Sequence, residues 1–355
     1  MNTSDIFDTI QQQHYESHPI YNSTITTSSK SDKQPFFSVI IPLYNKEPHI
    51  GRALDSILAQ TCPDFEIIVI DGGSTDKGPE IVKSYANEKI TLIEQNNIGV
   101  PGARNQGISI SNGVIMAFLD ADDAWLPNFL ETILVLHKKF PKAGIYGTAF
   151  AYWCSDISIA NIYSRDKGEQ ILECFFRDIL IHDGPIFWTG SFAAPKVVLE
   201  SVGFYSEYMT SGGEDTDLYG KIALSYPVAY SPSICSCYYL DTVNNAFRGR
   251  LKSPTEIPLI RYLTTFSEKE LKNRENYNDI MKYCDFLRFA FGLKNFTSGY
   301  FSCAIHQIIK GHYNISLLLK LMKYAMVQVP FLKLQIHILK RLKLHRYYAK
   351  LYLCK

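Results

Sequence analysis

In SVIIPLYNKEPHIGRALDSILAQTCPDFEIIVIDGGSTDKG, residues 38–78, two apolar runs flank a helical pattern. Ser38 to Pro42 and Glu66 to Ile70 are short and rich in Ile and Val, as buried strands are, and Ile50 to Gln60 repeats its apolar residues at helical spacing. Each apolar run stops at polar residues, Tyr44 and Asn45 after the first and Asp71 after the second. The unit is a strand, a helix and a second strand.

The alternation continues downstream. A helix is expected near Pro79 to Ala86, a strand over Ile90 to Glu94, a helix near Gly102 to Ile110, a strand over Val114 to Leu119 and a helix over Pro127 to Lys139. This order with short connections predicts an α/β fold with a mostly parallel central sheet flanked by helices, whose ligands bind at the carboxyl ends of the strands. Tyr44, Asn45, Asp71 and Asp120 all fall at that edge. From Ala143 to Tyr239 the pattern is less regular. It mixes β-like runs at Pro185 to Ala194 and Val228 to Tyr230 with helices around Ile171 to Ile181 and Asp215 to Ser225. Beyond Asp241 the chain becomes helical and basic. Residues 1–34, rich in Ser, Thr and Gln, are expected to form a flexible arm. The expected division is therefore 1–34, 35–240 and 241–355.

IMAFLDADDAWLP, residues 115–127, carries the chemistry. A strand delivers Asp120, Asp122 and Asp123 to the point where it stops. Carboxylates this close repel one another unless they are solvated, hydrogen-bonded or neutralised by a divalent cation, and hard oxygen ligands suit Mg²⁺ or Mn²⁺. The alternative is that Asp122 or Asp123 caps the helix expected from Pro127.

The totals bound these readings. At 355 residues the chain exceeds one typical domain, and with 46% hydrophobic and 20% charged residues it is globular in composition. Its net charge of +1 hides an asymmetry. From Arg288 onward there are twelve Lys or Arg and no acidic residue, while the chain before it carries a net −11. The eight cysteines show no CxxC spacing, as expected of ordinary thiols in a reducing compartment. MNTSDIFDTIQQQHYESHPI has neither a basic nor an apolar signal region, so a cytoplasmic location is expected. The longest apolar stretch, Ile315 to Leu339, is interrupted by Lys320, Lys323, Pro330 and Lys333, which argues against a transmembrane span.

A dinucleotide-binding unit would need G-x-G-x-x-G after the first strand, where this chain has Pro42-Leu43-Tyr44-Asn45-Lys46-Glu47 without a glycine; no P-loop occurs either. What remains is a nucleotide fold that holds a diphosphate through a metal. Residues 38–78, NNIGVPGARNQGISISNGVIMAFLDADDAW at 96–125 and GGEDTDLYGKIAL at 212–224 together resemble the family 2 glycosyltransferases, whose catalytic domain has the GT-A fold. The resemblance covers roughly Phe36 to Tyr239 and is densest before Pro127.

That resemblance implies roles. Pro42, Tyr44, Glu47 and Asp71 would hold the nucleoside of the donor; the second aspartate usual after Asp71 is replaced by Gly72. An Asx-type turn into GGSTD is the competing reading of Asp71. Arg104, at the start of the expected helix, would face the donor or else point to solvent. Asp120, Ala121 and Asp122 match the family's DXD motif, with Asp120 and Asp122 on the metal. Asp215 is implied as the general base for the acceptor hydroxyl, with Glu214 orienting the acceptor or serving instead, although acidic residues opening a helix also suit its dipole. Trp188 and Thr189 match the acceptor-side segment, and Trp188 is equally readable as core.

The expected activity is inverting transfer of a hexose-type sugar, with Mn²⁺ or Mg²⁺, from a nucleotide diphosphate donor. UDP is the first choice, and a lipid-linked or glycan acceptor in surface-polysaccharide biosynthesis is implied, as for capsule, lipopolysaccharide antigen or exopolysaccharide. A catalytically silent sugar-nucleotide or glycan-binding scaffold is the rival. The basic tail suits the anionic cytoplasmic face of the membrane, against a helical cap or an oligomer contact, and no nucleic-acid module is recognisable.

Overall fold

The structure, a computed structural model, describes residues 34–311 except 155–156, 164–166, 183–184, 208–212, 241 and 243–256. The N-terminal arm up to residue 33 and the basic tail from residue 312 lie outside the described residues.

Four parallel strands form the first half of the sheet: β1 (Phe37–Leu43), β2 (Phe65–Asp71), β3 (Ile90–Glu94) and β4 (Ile115–Phe118). They lie side by side in the order β3-β2-β1-β4. The period of two along a strand assigns side chains to opposite faces. Val39, Ile41, Ala117 and Leu119 enter one core, while Ile40, Met116 and Phe118 enter the other. Each fully buried Ile or Val contributes about 1.5–3 kcal/mol relative to exposure.

Helices α1 (Ile50–Leu58), α2 (Gly78–Ser84) and α3 (Gly99–Ile110) make the crossovers. The face of α1 that packs down is Ile50, Ala53, Leu54 and Ile57, at amphipathic spacing. It stops short of the expected Gln60 because that side chain is occupied elsewhere. Gln60 Nε2 donates to the Leu126 carbonyl at 2.7 Å and Oε1 accepts from Leu130 N at 2.9 Å, clamping α1 to the start of α4 (Phe129–Lys139). No side chain caps α4, whose N-cap is Asn128, so the capping reading of Asp122 and Asp123 is not realised.

The second half of the sheet departs most from expectation. β5 (Ala124–Trp125), β6 (Ile145–Cys154), β7 (Ile157–Asn161), β8 (Gln170–Ile171), β9 (Phe192–Pro195) and β10 (Val228–Tyr239) continue it, with β6 and β10 parallel over a long pairing and the short strands antiparallel. β10 runs far past Tyr230 because register shifts between Ser231 and Ser236 absorb the Ser-Pro-Ser interruption. The expected helix over Ile171 to Ile181 begins only at α5 (Phe175–Ile181), since Ile171 pairs with Ala229 and Cys174 is extended. Of Pro185 to Ala194, only the end is strand; Thr189–Ser191 is a 3₁₀ turn.

α6 (Lys196–Val202) and α7 (Glu214–Ala223) follow, then α8 (Pro258–Leu263), α9 (Glu268–Lys272), α10 (Tyr277–Thr297) and α11 (Phe301–Ile309). The described part of the C-terminal region packs on α7. A Cβ on Gly220 would come within 2.6 Å of the Leu259 side chain, so the glycine lets Leu259 pack directly on α7. Tyr283 and Leu287 join the same core as Phe187 and Tyr219. Among the described residues no helix is long and apolar enough to cross a membrane.

Candidate active site

The three carboxylates after β4 have three different environments. Asp123 turns inward: it is buried, its Oδ1 accepts from Tyr239 N at 2.7 Å, and burial together with the charges of Asp122 and Asp120 pushes its pKa well above the usual carboxylate range. It joins β4 to β10. Asp122 is ion-paired to Lys46, Nζ to Oδ2 2.5 Å, and its carbonyl accepts from the Arg52 guanidinium, which lies 3.5 Å over the Tyr239 ring. Asp120 Oδ1 accepts from Arg104 Nη2 at 2.7 Å. Ala121, between them, is buried in the core.

Arg104 is neither at a helix start nor in solvent. α3 begins three residues earlier than expected, at Gly99, which places Arg104 in its second turn and buries the side chain to 2% exposure. Its other terminal nitrogen, Nη1, donates to Glu214 Oε1 at 3.0 Å. One guanidinium therefore joins the carboxylate motif after β4 to the acidic pair opening α7, across 94 residues of sequence between Asp120 and Glu214. Burial opposes its charge, but Asp120, Tyr205 and Glu214 hold Arg104 protonated. Asn105, next to it, is structural: its amide donates to the Tyr205 carbonyl and its oxygen accepts from Tyr205 N, both at 3.0 Å.

The acidic pair divides likewise. Glu214 is buried beside Arg104, and burial, then the neighbouring Asp215, raise it to about 7 against the pull of Arg104. Its Oε2 has no partner among the described residues. Asp215 is partly exposed; Oδ1 accepts from Thr216 N at 2.7 Å and Oδ2 lies 3.5 Å from Thr189 Oγ1. The α7 start is set by Gly213 at φ 99°, a left-handed backbone that favours glycine. Ser211 and Gly212 lie outside the described residues. Thr189 is buried, and Trp188 is largely buried against Tyr238, 4.6 Å between ring centroids, and Phe150, with its Nε1 unpartnered among the described residues. Trp188 thus has the packing of a core residue and lies one residue from the threonine that reaches Asp215.

At the β1 and β2 ends, Gly72 N donates to the Leu43 carbonyl, holding the two ends together. Asp71 is buried in an Asx-type turn, accepting from Gly73 N and Ser74 N at 3.1 Å and from Ser74 Oγ at 2.5 Å. Glu47 accepts from Lys77 N at 3.1 Å and its own N–H donates to Asp76. Pro42 is half-buried on β1, and Tyr44 is exposed at the strand's end. Tyr44 alone of these four presents a large open side chain.

Lys46, Arg52 and Tyr239 also stand in the site, Arg52 and Tyr239 with nothing in their local sequence to mark them. Lys46 had a signal, a cation in the loop after β1, which becomes informative once β1 and β4 are known to be neighbours.

With Asp123 turned away, Asp120 and Asp122 supply two hard carboxylates. Among the described residues no three or more of His, Cys, Asp and Glu gather as a metal centre. Two carboxylates fall short of the roughly six oxygens that Mg²⁺ takes, so this donor set fits a divalent cation that arrives with a diphosphate and keeps water.

Residues 38–188 match the model of glycosyl transferase family 2. The chain carries a family 2 glycosyltransferase domain. Its sequence is similar to glycosyltransferase GlyA of Streptococcus pneumoniae serotype 4, 36% identical over 134 residues, which are 37% of this chain and 17% of that protein. The fold resembles S. aureus TarS 1–349 in complex with UDP-GlcNAc, with a TM-score of 0.59, 18% identity and 83% of each chain covered. It also resembles the mannosyltransferase PcManGT of Pyrobaculum calidifontis in complex with GDP-Man and Mn²⁺, at a TM-score of 0.51, 19% identity, and coverage of 93% of this chain and 94% of that one. The glycosyltransferase domain therefore has the GT-A fold, its mostly parallel sheet flanked by helices, and Asp120, Asp122, Glu214 and Asp215 line the edge where β1, β4 and α7 meet.

Proposed function

We propose that this chain is an inverting glycosyltransferase moving a hexose-type sugar from a nucleotide diphosphate, UDP first, to a lipid-linked or glycan acceptor in cell-surface polysaccharide biosynthesis. The observation that carries it is the Asp120, Arg104, Glu214 bridge, which sets a diphosphate-side carboxylate motif and a base-side acidic pair at one sheet edge. The ligands of the two solved neighbours, UDP-GlcNAc and GDP-Man with Mn²⁺, support a nucleotide-sugar donor and a divalent ion.

In this reading Asp215 is the base. It is the more exposed member of the pair and Thr189 Oγ1 orients it, whereas Glu214 is committed to Arg104. The acceptor hydroxyl oxygen attacks the anomeric carbon as its proton passes to Asp215, and the bond from that carbon to the diphosphate breaks with its electron pair leaving on the diphosphate oxygen. Asp120 and Asp122 would hold the cation, which supplies charge neutralisation for the leaving group. Tyr44 offers an aromatic face to the base, and the Asp71 turn holds the loop beneath it. Thr189 supplies the acceptor side, with Trp188 packed beside it against Tyr238 and Phe150. An inactive scaffold is not favoured, since both carboxylate sets are in place.

Nine of the twelve basic residues of the tail lie in 312–355. Their charge, with interleaved Leu and Ile, supports peripheral association with the anionic cytoplasmic face of the membrane.

Calorimetric titration with UDP, GDP, dTDP and CMP, with and without Mn²⁺, tests the donor site. Metal-dependent binding of one nucleotide, lost in Asp122→Asn, supports the proposal; no binding by a folded protein refutes it.

A further inference from the structure

Lys46 stands where a cation would meet Asp122. Its ammonium is 2.5 Å from Asp122 Oδ2, with the two side chains 13% and 14% exposed. Adjacency of β1 and β4 brings the loops after Leu43 and Phe118 to one sheet edge. The turn that carries Lys46 is fixed at both ends. The Lys46 carbonyl accepts from His49 N at 2.9 Å and Ile50 N at 3.0 Å. Asn45 before it takes a φ of 51°, and its side-chain oxygen accepts from Thr75 N at 2.8 Å. Asparagine is among the few residues that adopt this backbone readily. Lys46 therefore projects toward Asp122 from a defined position.

Its neighbours have other tasks. Asp120 is engaged by the buried Arg104, and Asp123 faces the interior. Asp122 is the carboxylate for which a lysine and a divalent ion would compete. An ammonium in contact takes one of its acceptor sites and repels a second cation. A lysine suits exchange of partners, being a compact charge on a flexible stem, whereas the fork of Arg104 is held by two carboxylates.

We propose that Lys46 is a built-in counter-cation of the donor site. It neutralises Asp122 when no donor is present, yields that carboxylate to the divalent ion, and then pairs with the diphosphate. This rests on the donor-site reading above. Metal alone takes Asp122 from Lys46 and sets two cations side by side, while metal arriving with a diphosphate brings an anion that offsets both. Metal and diphosphate consequently bind cooperatively.

The test uses the full chain and two probes, Mn²⁺ alone, followed by electron paramagnetic resonance of the free ion, and inorganic pyrophosphate without metal, followed by calorimetry. A charge removed from contact changes affinity by about tenfold or more, so Lys46→Met should bind Mn²⁺ about tenfold tighter and pyrophosphate about tenfold weaker than the natural protein. Lys46→Gln should show both shifts, and Asp122→Asn added to Lys46→Met should abolish the gain in Mn²⁺ affinity. The proposal is overturned if Lys46→Met binds Mn²⁺ no tighter, including the case where neither protein binds it. Weaker binding of both probes would mean that the substitution damages the loop, and Lys46→Gln without opposed shifts would then reject the proposal. If the Mn²⁺ shift occurs but pyrophosphate binds neither protein, the donor-site reading fails while the competition at Asp122 stands.

Discussion

Replacing Arg104 with methionine removes the cation between two carboxylates and keeps much of the side-chain volume. The variant strands Glu214, with a side chain 12% exposed, and Asp120, 29% exposed. At an effective dielectric near 20, the attraction across the 3.0 Å contact to Glu214 is about 5 kcal/mol before desolvation. Deleting one partner of a buried pair costs about 3–5 kcal/mol net, and the share of Asp120 is smaller because water screens it. The deficit depends on pH with a definite sign. Glu214 is raised from 4.5 to about 7 in the folded protein, by burial first and Asp215 next, with Arg104 opposing. A raised carboxyl contributes stability that is complete below the unfolded value and lost as pH rises through the folded one. Without Arg104 the folded value climbs further, so the variant loses more stability on going from about pH 5.5 to about pH 8. Urea unfolding at those two values should show a deficit about 1–2 kcal/mol larger at the higher pH, since a tenfold change in proton affinity is worth about 1.4 kcal/mol. A deficit under about 1 kcal/mol at both, or one that does not grow with pH, would refute a structural charge bridge. Arg104→Lys should recover only part of the loss, because a single ammonium cannot hold both carboxylates in fork geometry.

Asp215→Asn should lower turnover by about 10²–10⁴ while leaving nucleotide affinity within a factor of two or so; loss of both together would remove Asp215 from the role of base. Asp123→Asn keeps an acceptor for Tyr239 N but no buried charge. Because Asp123 is raised, its stabilising contribution is present at low pH and lost as pH rises through its folded value. The asparagine variant should therefore have a flatter stability profile toward pH 8, whereas Asp123→Ala should lose about 1–3 kcal/mol at low pH, a deficit that shrinks as pH rises. Thermal unfolding of Gly113→Ala should show a loss of about 1–3 kcal/mol, since the added Cβ would come within 2.5 Å of Ser38 N, a backbone atom with no room to retreat. Co-sedimentation with anionic liposomes at low salt should be lost on deleting residues 312–355; retention by the truncated protein would place membrane affinity elsewhere.

The first crossover was legible because its two strands are buried on both faces and read as apolar runs. IVI-type runs at Phe37–Leu43 and Phe65–Asp71, and the helix face of Ile50, Ala53, Leu54 and Ile57, need no tertiary information. β6 escaped the same reading because IYGTAFAYWC mixes Gly, Thr and aromatic residues and becomes a strand by pairing with β10 and β9. The single apolar runs at Ile171 and Pro185 were ambiguous for a related reason: short segments take the structure their neighbours impose.

At the site, sequence alone determined which chemistry is present: carboxylates at the end of a buried strand, an acidic pair opening a helix, and the motif order that marks a family 2 glycosyltransferase. Tertiary structure decided what each carboxylate does. Asp71 spends its oxygens on its own turn, Asp123 faces the interior, Asp122 meets Lys46, and Asp120 and Glu214 share Arg104. The physical reason is that apolar periodicity is a local property of the chain, readable residue by residue. The charge state and partner of a carboxylate depend instead on burial and on cations brought to it from 76 or 110 positions away, a proximity that exists only after the strands have paired.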